Sequence, residues 1–225
     1  MTKLQIFPIA VAAALASFGA ASAASTIQQR AASAASTIYS NIDPAADQHA
    51  IYGFGGEYGD EIVFDGGYRT VQTFRFDYTS NYDLPGGAVF RIYDNLGDGG
   101  APKNLLFESN PFDIKKNATD KYNVVTLDLG GLEFRLPEDR ATWTVSFNGI
   151  SGQNEAGILL YDAPTVGSSN NDFWVKNGSI WSLQQVSGGK VANFAAEIVA
   201  VPEPSTYALL GLGAFALVAI RRFRK

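Results

Sequence analysis

Side chains that could do covalent chemistry are few in this sequence. His49 is the only histidine and cysteine is absent. A Ser-His-Asp arrangement could therefore form only around His49, and a cysteine nucleophile is excluded. His49 lies in a segment rich in Pro, Ala and Asp, and the chain has no G-x-S-x-G motif. We predict an exposed loop histidine and no catalytic residue.

Metal ligands are also sparse. Zinc sites built from cysteine or from several histidines are impossible with this composition. Residues 94–99, Asp-Asn-Leu-Gly-Asp-Gly, have the outline of a calcium loop, but Leu96 and Leu105 occupy positions where such a loop needs an oxygen and a bidentate Glu. We therefore predict a hairpin loop there, a solvated strand end at Asp60-Glu61, and no metal or other cofactor.

Two tryptophans are the candidates for ligand binding. The dipeptide Asn177-Gly178 lies between them and suits a two-residue type I′ turn. A hairpin with this turn makes Trp174 and Trp181 direct cross-strand neighbours on one face.

The two faces of this hairpin differ in polarity. Lys176 and Ser179 share the indole face, whereas Phe173, Val175 and Ile180 lie on the other face. Lys and Ser resist burial, which favours the second face as the core side and leaves the indoles as a half-exposed platform on which sugar rings stack. The alternative is that the indoles form the inner face, with their N–H groups satisfied inside the domain.

Length and charge limit the function class. The segment from Ala24 to Pro202 leaves out Lys3 and the four basic residues of the C-terminus. It contains 12 basic and 21 acidic residues, a formal charge of −9. Nucleic acid requires a basic footprint, so we predict no nucleic-acid partner. The absence of cysteine means that the stability of this single domain must come from its core.

Period-two alternation of apolar and polar residues predicts half-buried antiparallel strands. The apolar positions of the clearest alternations are Phe74, Phe76, Tyr78, Phe90, Ile92, Trp143, Val145 and Phe147. Gly- and Pro-rich turn signals separate these segments, and we find no convincing helix before Pro204. The predicted fold is all-β, a jelly-roll-like antiparallel β-sandwich of about eight to ten strands over residues 37–200.

The N-terminus has the pattern of a secretory signal peptide. A basic residue and an apolar run precede the small residues Ala21 and Ala23. We predict residues 1–23 as the signal peptide, cut by signal peptidase after Ala23 in preference to a second small-residue site at Ala34. Residues 24–36 are then an Ala/Ser-rich leader.

The C-terminal residues 201–225 read VPEPSTYALLGLGAFALVAIRRFRK. Pro202 and Pro204 fix φ and remove two amide donors, so this stretch is an extended linker. Residues 207–220 are all apolar or Gly and span about 21 Å as a helix, against a hydrocarbon core of about 30 Å. Ser205 and Thr206, with snorkelling arginines at the other end, make a short transmembrane helix feasible.

A basic cluster follows the apolar run and ends the chain. It consists of Arg221, Arg222, Arg224 and Lys225. Such clusters resist translocation, so we predict that this end acts as a stop-transfer signal and remains cytoplasmic.

Pro202-Glu203-Pro204, the short apolar helix and the basic end occur in the order found in bacterial PEP-CTERM sorting-domain proteins, whose tail this segment resembles. The resemblance covers about a ninth of the chain. It implies export, transient membrane anchoring, cleavage near Pro202-Glu203-Pro204 by an exosortase-type membrane protease, and release into the envelope or extracellular matrix of a Gram-negative-type bacterium. The alternative is a single-span anchor that is never cut.

The β-region, especially residues 58–62, 157–161 and 172–174, more loosely resembles the sandwich modules that often precede this tail, a resemblance that implies no activity. We expect a non-enzymatic protein that binds or organises the extracellular polysaccharide implied by the tail. The alternatives are a glycan hydrolase on a jelly-roll scaffold and a purely structural surface protein. Two carboxylates suffice for glycoside hydrolysis, so the 21 acidic residues do not decide between them.

Overall fold

The computed structural model describes residues 35–42, 49–50, 56–119, 121–137, 139–161, 163–185, 193–202 and 221. The predicted signal peptide, including Ala21 and Ala23, and most of the leader lie outside these residues. So does the predicted tail beyond Pro202, except Arg221. Among the described residues, no helix is both long and apolar enough to cross a membrane.

The described chain folds into strands, with one short 3-10 turn at Asp98–Gly100. The strands are β1 (Ser36–Ser40), β2 (His49–Ala50), β3 (Glu57–Val63), β4 (Thr70–Ser80), β5 (Leu84–Tyr93), β6 (Leu105–Glu108), β7 (Phe112–Ile114), β8 (Asn123–Asp128), β9 (Arg140–Phe147), β10 (Ala156–Tyr161), β11 (Ser168–Ser169), β12 (Phe173–Asn177), β13 (Ile180–Gln184), β14 (Asn193–Phe194) and β15 (Ala196–Val201). These fifteen strands exceed the eight to ten predicted, in large part because four of them have only two or three residues and are too short for alternation to reveal.

The strands form two antiparallel sheets. One has the order β1-β15-β4-β10-β14, with β2 also on β10 and β8 on β4. The other has the order β13-β12-β3-β9-β5-β6, with β11 also on β3 and β7 on β5. The prediction of an all-β fold with two antiparallel sheets is confirmed. The first and last strands of the domain are neighbours, since Ser36 of β1 pairs with Ala200 of β15.

The core lies between the sheets and is rich in aromatic rings. All eight apolar side chains that the alternation predicted to face inward are buried there. Trp143 of β9 is fully buried at the centre, with its ring centroid 5.3 Å from that of Phe74 and 5.6 Å from that of Phe76, both on β4 in the opposite sheet. Phe194 of β14 meets the same indole edge-on at 5.8 Å. A single side chain of one sheet therefore contacts two strands of the other.

A carboxyl group is buried between the sheets, contrary to the prediction of a solvated strand end. Asp60 of β3 is 1% exposed, because the alternation of β3 turns it inward beside Ile62. Its Oδ2 accepts a hydrogen bond from the Phe194 backbone N–H at 3.0 Å. Its Oδ1 lies 2.7 Å from Ser169 Oγ, which lies 3.1 Å from the Asn170 carbonyl oxygen.

Burial raises the pKa of Asp60 well above its ordinary value, and the negative charges of Asp172 and Glu61 raise it further. In the protonated form, Oδ1–H donates to Ser169 Oγ, and the Ser169 hydroxyl donates to the Asn170 carbonyl. The Asp60 carboxyl group and the Ser169 hydroxyl then both have partners, which satisfies the requirement for burying a carboxyl group.

We expect Trp143→Ala to lower the free energy of unfolding by about 3–5 kcal/mol, the range for emptying a buried aromatic site. Urea denaturation measures this change. Trp143→Phe, which keeps a ring in place, should cost less. Ile180→Ala, at a side chain that is 71% exposed, should stay within about 0.5 kcal/mol of wild type. Equal losses for Trp143→Ala and Ile180→Ala would contradict the central role of the indole.

We expect Asp60→Asn to become progressively more stable than wild type as the pH rises from 4 to 8. The folded wild type holds the Asp60 proton to a higher pH than the unfolded chain does, so its free energy of unfolding falls as pH rises above the ordinary value of 3.8. Asn is the isostere of the protonated acid and does not titrate. Denaturation of both proteins across this range, with the exposed Asp98→Asn as a charge-matched control, tests the expectation. A difference between Asp60→Asn and wild type that does not change with pH would refute it.

Candidate ligand-binding face

The tryptophan hairpin has a different turn from the predicted one. Asn177 pairs with Ile180, so the two loop residues are Gly178 and Ser179. Gly178 has φ of 63°, and Gly at the first loop position is the preference of a type II′ turn. The predicted type I′ turn at Asn177-Gly178 is therefore wrong.

This turn shifts the pairing by two residues. Trp174 lies opposite Leu183, and Lys176 lies opposite Trp181. The prediction that Trp174 and Trp181 face each other directly is wrong, but a shift of two keeps both on one face as diagonal neighbours.

The shared face is the outer face of the eight-stranded sheet. Trp174 pairs with Gly59 of β3, and a Cβ at Gly59 would meet the outward-facing Thr144 side chain at 2.5 Å. Trp174 is only 7% exposed, and its Nε1 has no hydrogen-bond partner in the described part of the chain. Trp181 is partly exposed. The two indoles are therefore not equivalent: Trp174 is packed against the sheet, and Trp181 remains accessible to solvent.

A polar cluster surrounds Trp181 on this outer face. We define the Glu57 cluster as Glu57, Arg91, Tyr93, Thr144, Lys176 and Trp181. Glu57 Oε1 accepts hydrogen bonds from the Tyr93 hydroxyl at 2.9 Å and from the Thr144 hydroxyl at 2.6 Å. Its Oε2 lies 3.4 Å from both Arg91 Nη1 and Lys176 Nζ. The carboxylate thus has two hydroxyl donors and two cations.

One cation of the cluster, Lys176, also meets aromatic rings. Lys176 Nζ lies 5.1 Å from the ring centroids of Tyr93 and of Trp181, within cation–π range. Trp181 meets Tyr93 edge-on at 5.4 Å. These contacts hold the indole in place while part of its surface stays open to solvent. A fixed aromatic ring loses little conformational entropy when a ligand binds.

The electrostatics of the cluster keep the Tyr93 phenol neutral and the Arg91 guanidinium charged. Burial, followed by the charge of Glu57, raises the pKa of Tyr93 above its ordinary value. Burial of the Arg91 guanidinium lowers the pKa of Arg91. The hydrogen bond from Arg91 Nε to Glu108 Oε2 at 2.6 Å and the negative charge of Glu57 have the larger combined effect, so the pKa of Arg91 is raised. The face therefore presents the partly exposed cations of Arg91 and Lys176 beside an aromatic ring, while the hydroxyls of Tyr93 and Thr144 are buried in their hydrogen bonds to Glu57.

Sequence reasoning did not identify Glu57, Arg91, Tyr93 or Thr144 as site residues. The cluster draws on β3, β5, β9, β12 and β13, and Lys176 and Glu57 are 119 residues apart. Only strand order brings them together. A signal did exist, since the alternation of β5 places Arg91 and Tyr93 on the face opposite the buried Phe90 and Ile92.

The calcium-like loop is the predicted hairpin loop between β5 and β6. Asp94 Oδ1 accepts a hydrogen bond from the Asn104 backbone N–H at 2.9 Å, and Oδ2 accepts one from Asn104 Nδ2 at 2.7 Å. The carboxylate thus closes the loop. In the described part of the chain, no group of three or more acidic or histidine side chains is placed to hold a metal ion.

The backbone of His49 was predicted to be in a loop and is instead in the two-residue strand β2, paired with Leu160. Its side chain lies outside the described part of the structure, so its exposure stays a prediction.

The start of the sorting tail directly follows the last strand. Val201 is still paired with Thr70 of β4, and Pro202 is buried. Arg221 is exposed. Glu203 and Pro204, the apolar run 207–220, and the other stop-transfer residues, Arg222, Arg224 and Lys225, lie outside the described residues.

Comparison with known families identifies the tail. Residues 200–225 match the PEP-CTERM protein-sorting motif. The match confirms the predicted sorting motif and implies export, an exosortase as the processing partner, and an envelope or extracellular destination. It covers the C-terminal ninth of the chain and does not extend to the β-domain. A search of curated proteins found no match to the chain.

Proposed function

We propose that this is an exported, non-enzymatic protein whose β-domain binds extracellular polysaccharide through the Glu57 cluster. The observation that carries the proposal is the position of Trp181, an immobilised and partly exposed indole on the outer face of a sheet, beside Lys176 and Tyr93. Ligand sites typically combine aromatic surface with a few convergent polar groups. A sugar ring offers both an apolar C–H face and a rim of hydroxyls, which suits this combination.

In the proposed sequence of events, signal peptidase removes residues 1–23 and the apolar run 207–220 holds the exported chain in the membrane. The basic residues after Ile220 keep the terminus cytoplasmic. An exosortase-type protease then cuts close to Pro202-Glu203-Pro204 and releases the domain into the envelope or matrix, where polysaccharide is its partner.

Three carboxylates on the outer face form ion pairs. Glu108 Oε2 lies 2.6 Å from Arg91 Nε. Glu57 faces two cations, and Glu61 Oε1 lies 3.0 Å from Arg140 Nη1. These carboxylates are therefore engaged by the protein's own cations, which favours a binding surface over a catalytic pair.

A binding assay and a reducing-end assay separate the alternatives. The released domain is incubated with the soluble matrix polysaccharide of the producing bacterium. Retention without new reducing ends supports a binding module. New reducing ends support a hydrolase, and neither retention nor cleavage supports a purely structural protein.

We expect Trp181→Ala to weaken polysaccharide retention at least about fivefold, since truncating a central aromatic contact typically costs more than about 1 kcal/mol of binding. The melting temperature should change little because the indole is partly exposed. Trp174→Ala, at the buried indole, should instead cost about 3–5 kcal/mol of stability. Affinity electrophoresis and thermal unfolding measure the two effects. Ile180→Ala is the control for loss of an exposed apolar side chain, and retention by Trp181→Ala equal to that by this control would refute the site.

We expect the mature protein to begin near Ala24 and to end close to Pro202-Glu203-Pro204. Intact-mass measurement of protein recovered from the envelope or matrix tests both ends at once. The host must express an exosortase, and a protease-deficient strain is the control. Recovery of chains that extend to Lys225 in both strains would show an uncut anchor.

A further inference from the structure

The sorting tail begins too close to the folded domain to act as a long tether. β15 ends at Val201, and the apolar run starts at Tyr207, six residues later. Six residues span at most about 20 Å even when fully extended. The headgroup layer outside the hydrocarbon core takes up about 5–8 Å of this length. A tail inserted in a bilayer therefore holds the end of the sandwich at which β15 stops, which we call the exit end, against the membrane surface.

The loop after β8 lies at the exit end. Val201 pairs with Thr70, and Thr70 forms a β-bridge with Arg135 on its other side. The loop that links β8 to this bridge carries Leu132, which is 62% exposed. The backbone N–H of Leu132 donates to the Leu129 carbonyl oxygen at 3.0 Å, so the tip of the loop is a defined turn.

The loop after β5 carries a second exposed leucine at the same end. β3 ends at the exit end, because a connection of six residues joins Val63 to Thr70. Asn95 Nδ2 donates to Glu61 Oε2 at 3.2 Å, which fixes the loop beside this end of β3. The next residue, Leu96, is 70% exposed.

The opposite end supplies an internal comparison. Ile180 is 71% exposed and follows the turn of the β12-β13 hairpin. That turn lies beyond Lys176, which pairs with Glu57 at the start of β3, so it is at the end remote from Val201. Single exposed apolar residues are common on protein surfaces. Leu96 and Leu132, in contrast, both lie at the end from which the tail emerges.

We infer that the exit end docks on the bilayer before the tail is cut, with Leu132 and Leu96 in the headgroup layer. The occupant of this surface is the lipid interface around the chain's own tail. The inference rests on the proposed function in one respect, namely that residues 207–220 are inserted in a membrane. It adds an orientation of the domain. The exit end contacts the membrane, and the β12-β13 hairpin points away from the membrane.

The absence of cysteine allows a direct test with single-cysteine probes. Leu132→Cys, Leu96→Cys, Ile180→Cys and Ala214→Cys are each made in the full-length chain, labelled with an environment-sensitive fluorophore, and reconstituted into phosphatidylethanolamine–phosphatidylglycerol vesicles. Lipids that carry a spin label in the headgroup or in the acyl chain act as quenchers. We expect a blue shift and headgroup-level quenching at Leu132 and Leu96, no quenching at Ile180, and acyl-level quenching at Ala214.

The four positions separate the possible failures. Quenching at Ala214 with responses at Leu132 and Leu96 equal to that at Ile180 would overturn the docking and leave the proposed anchor intact. An unquenched Ala214 would overturn the anchor itself. A response at Leu132 and Leu96 that requires co-reconstituted exosortase would assign this surface to the protease and overturn docking on lipid.

Discussion

The contact of Trp143 with the rings of the opposite sheet is the interaction on which the rest of the fold depends. The chain has no cysteine to link its two sheets, so apolar packing must hold them together. Trp143 belongs to β9, which has β3 on one side and β5 on the other. Fixing β9 against Phe74 and Phe76 also fixes its two neighbours. The core contact therefore determines the position of the strands that carry the outer face.

The inner and outer faces of these strands are coupled by alternation. Thr144 follows Trp143 and points outward, where its hydroxyl donates to Glu57. Glu57 in turn organises Arg91 and Lys176, which come from strands on opposite sides of it. Charged groups that are largely buried require such pairing. The surface around Trp181 is thus an extension of the ordered sheet, with side chains already placed before any ligand arrives.

Sequence reasoning succeeded where structure depends on near neighbours. Alternation identified the inward-facing side chains, because period two is a property of any half-buried strand. Sequence reasoning failed at the hairpin turn. Gly178 can have a positive φ both in the predicted loop of residues 177–178 and in the observed loop of residues 178–179. In the observed register Trp174 also pairs with Gly59 of β3, which is 115 residues away in the sequence. Asp60 was misplaced for a similar reason: only the approach of Phe194 and Ser169 makes an inward carboxyl group acceptable.

The position of β15 between β1 and β4 affects when the domain can fold. Of the strands that the structure describes, β1 is the first and β15, its sheet neighbour, is the last. If the chain is exported unfolded and N-terminus first, the strand pairing of β1 among the described residues is limited to the single bridge of Ser40 with Val166 until the final strand has emerged. Loop closure over such a sequence separation is slow compared with local pairing. A sheet whose interior strand β15 is the last to be made is therefore complete only when nearly the whole domain sequence is available.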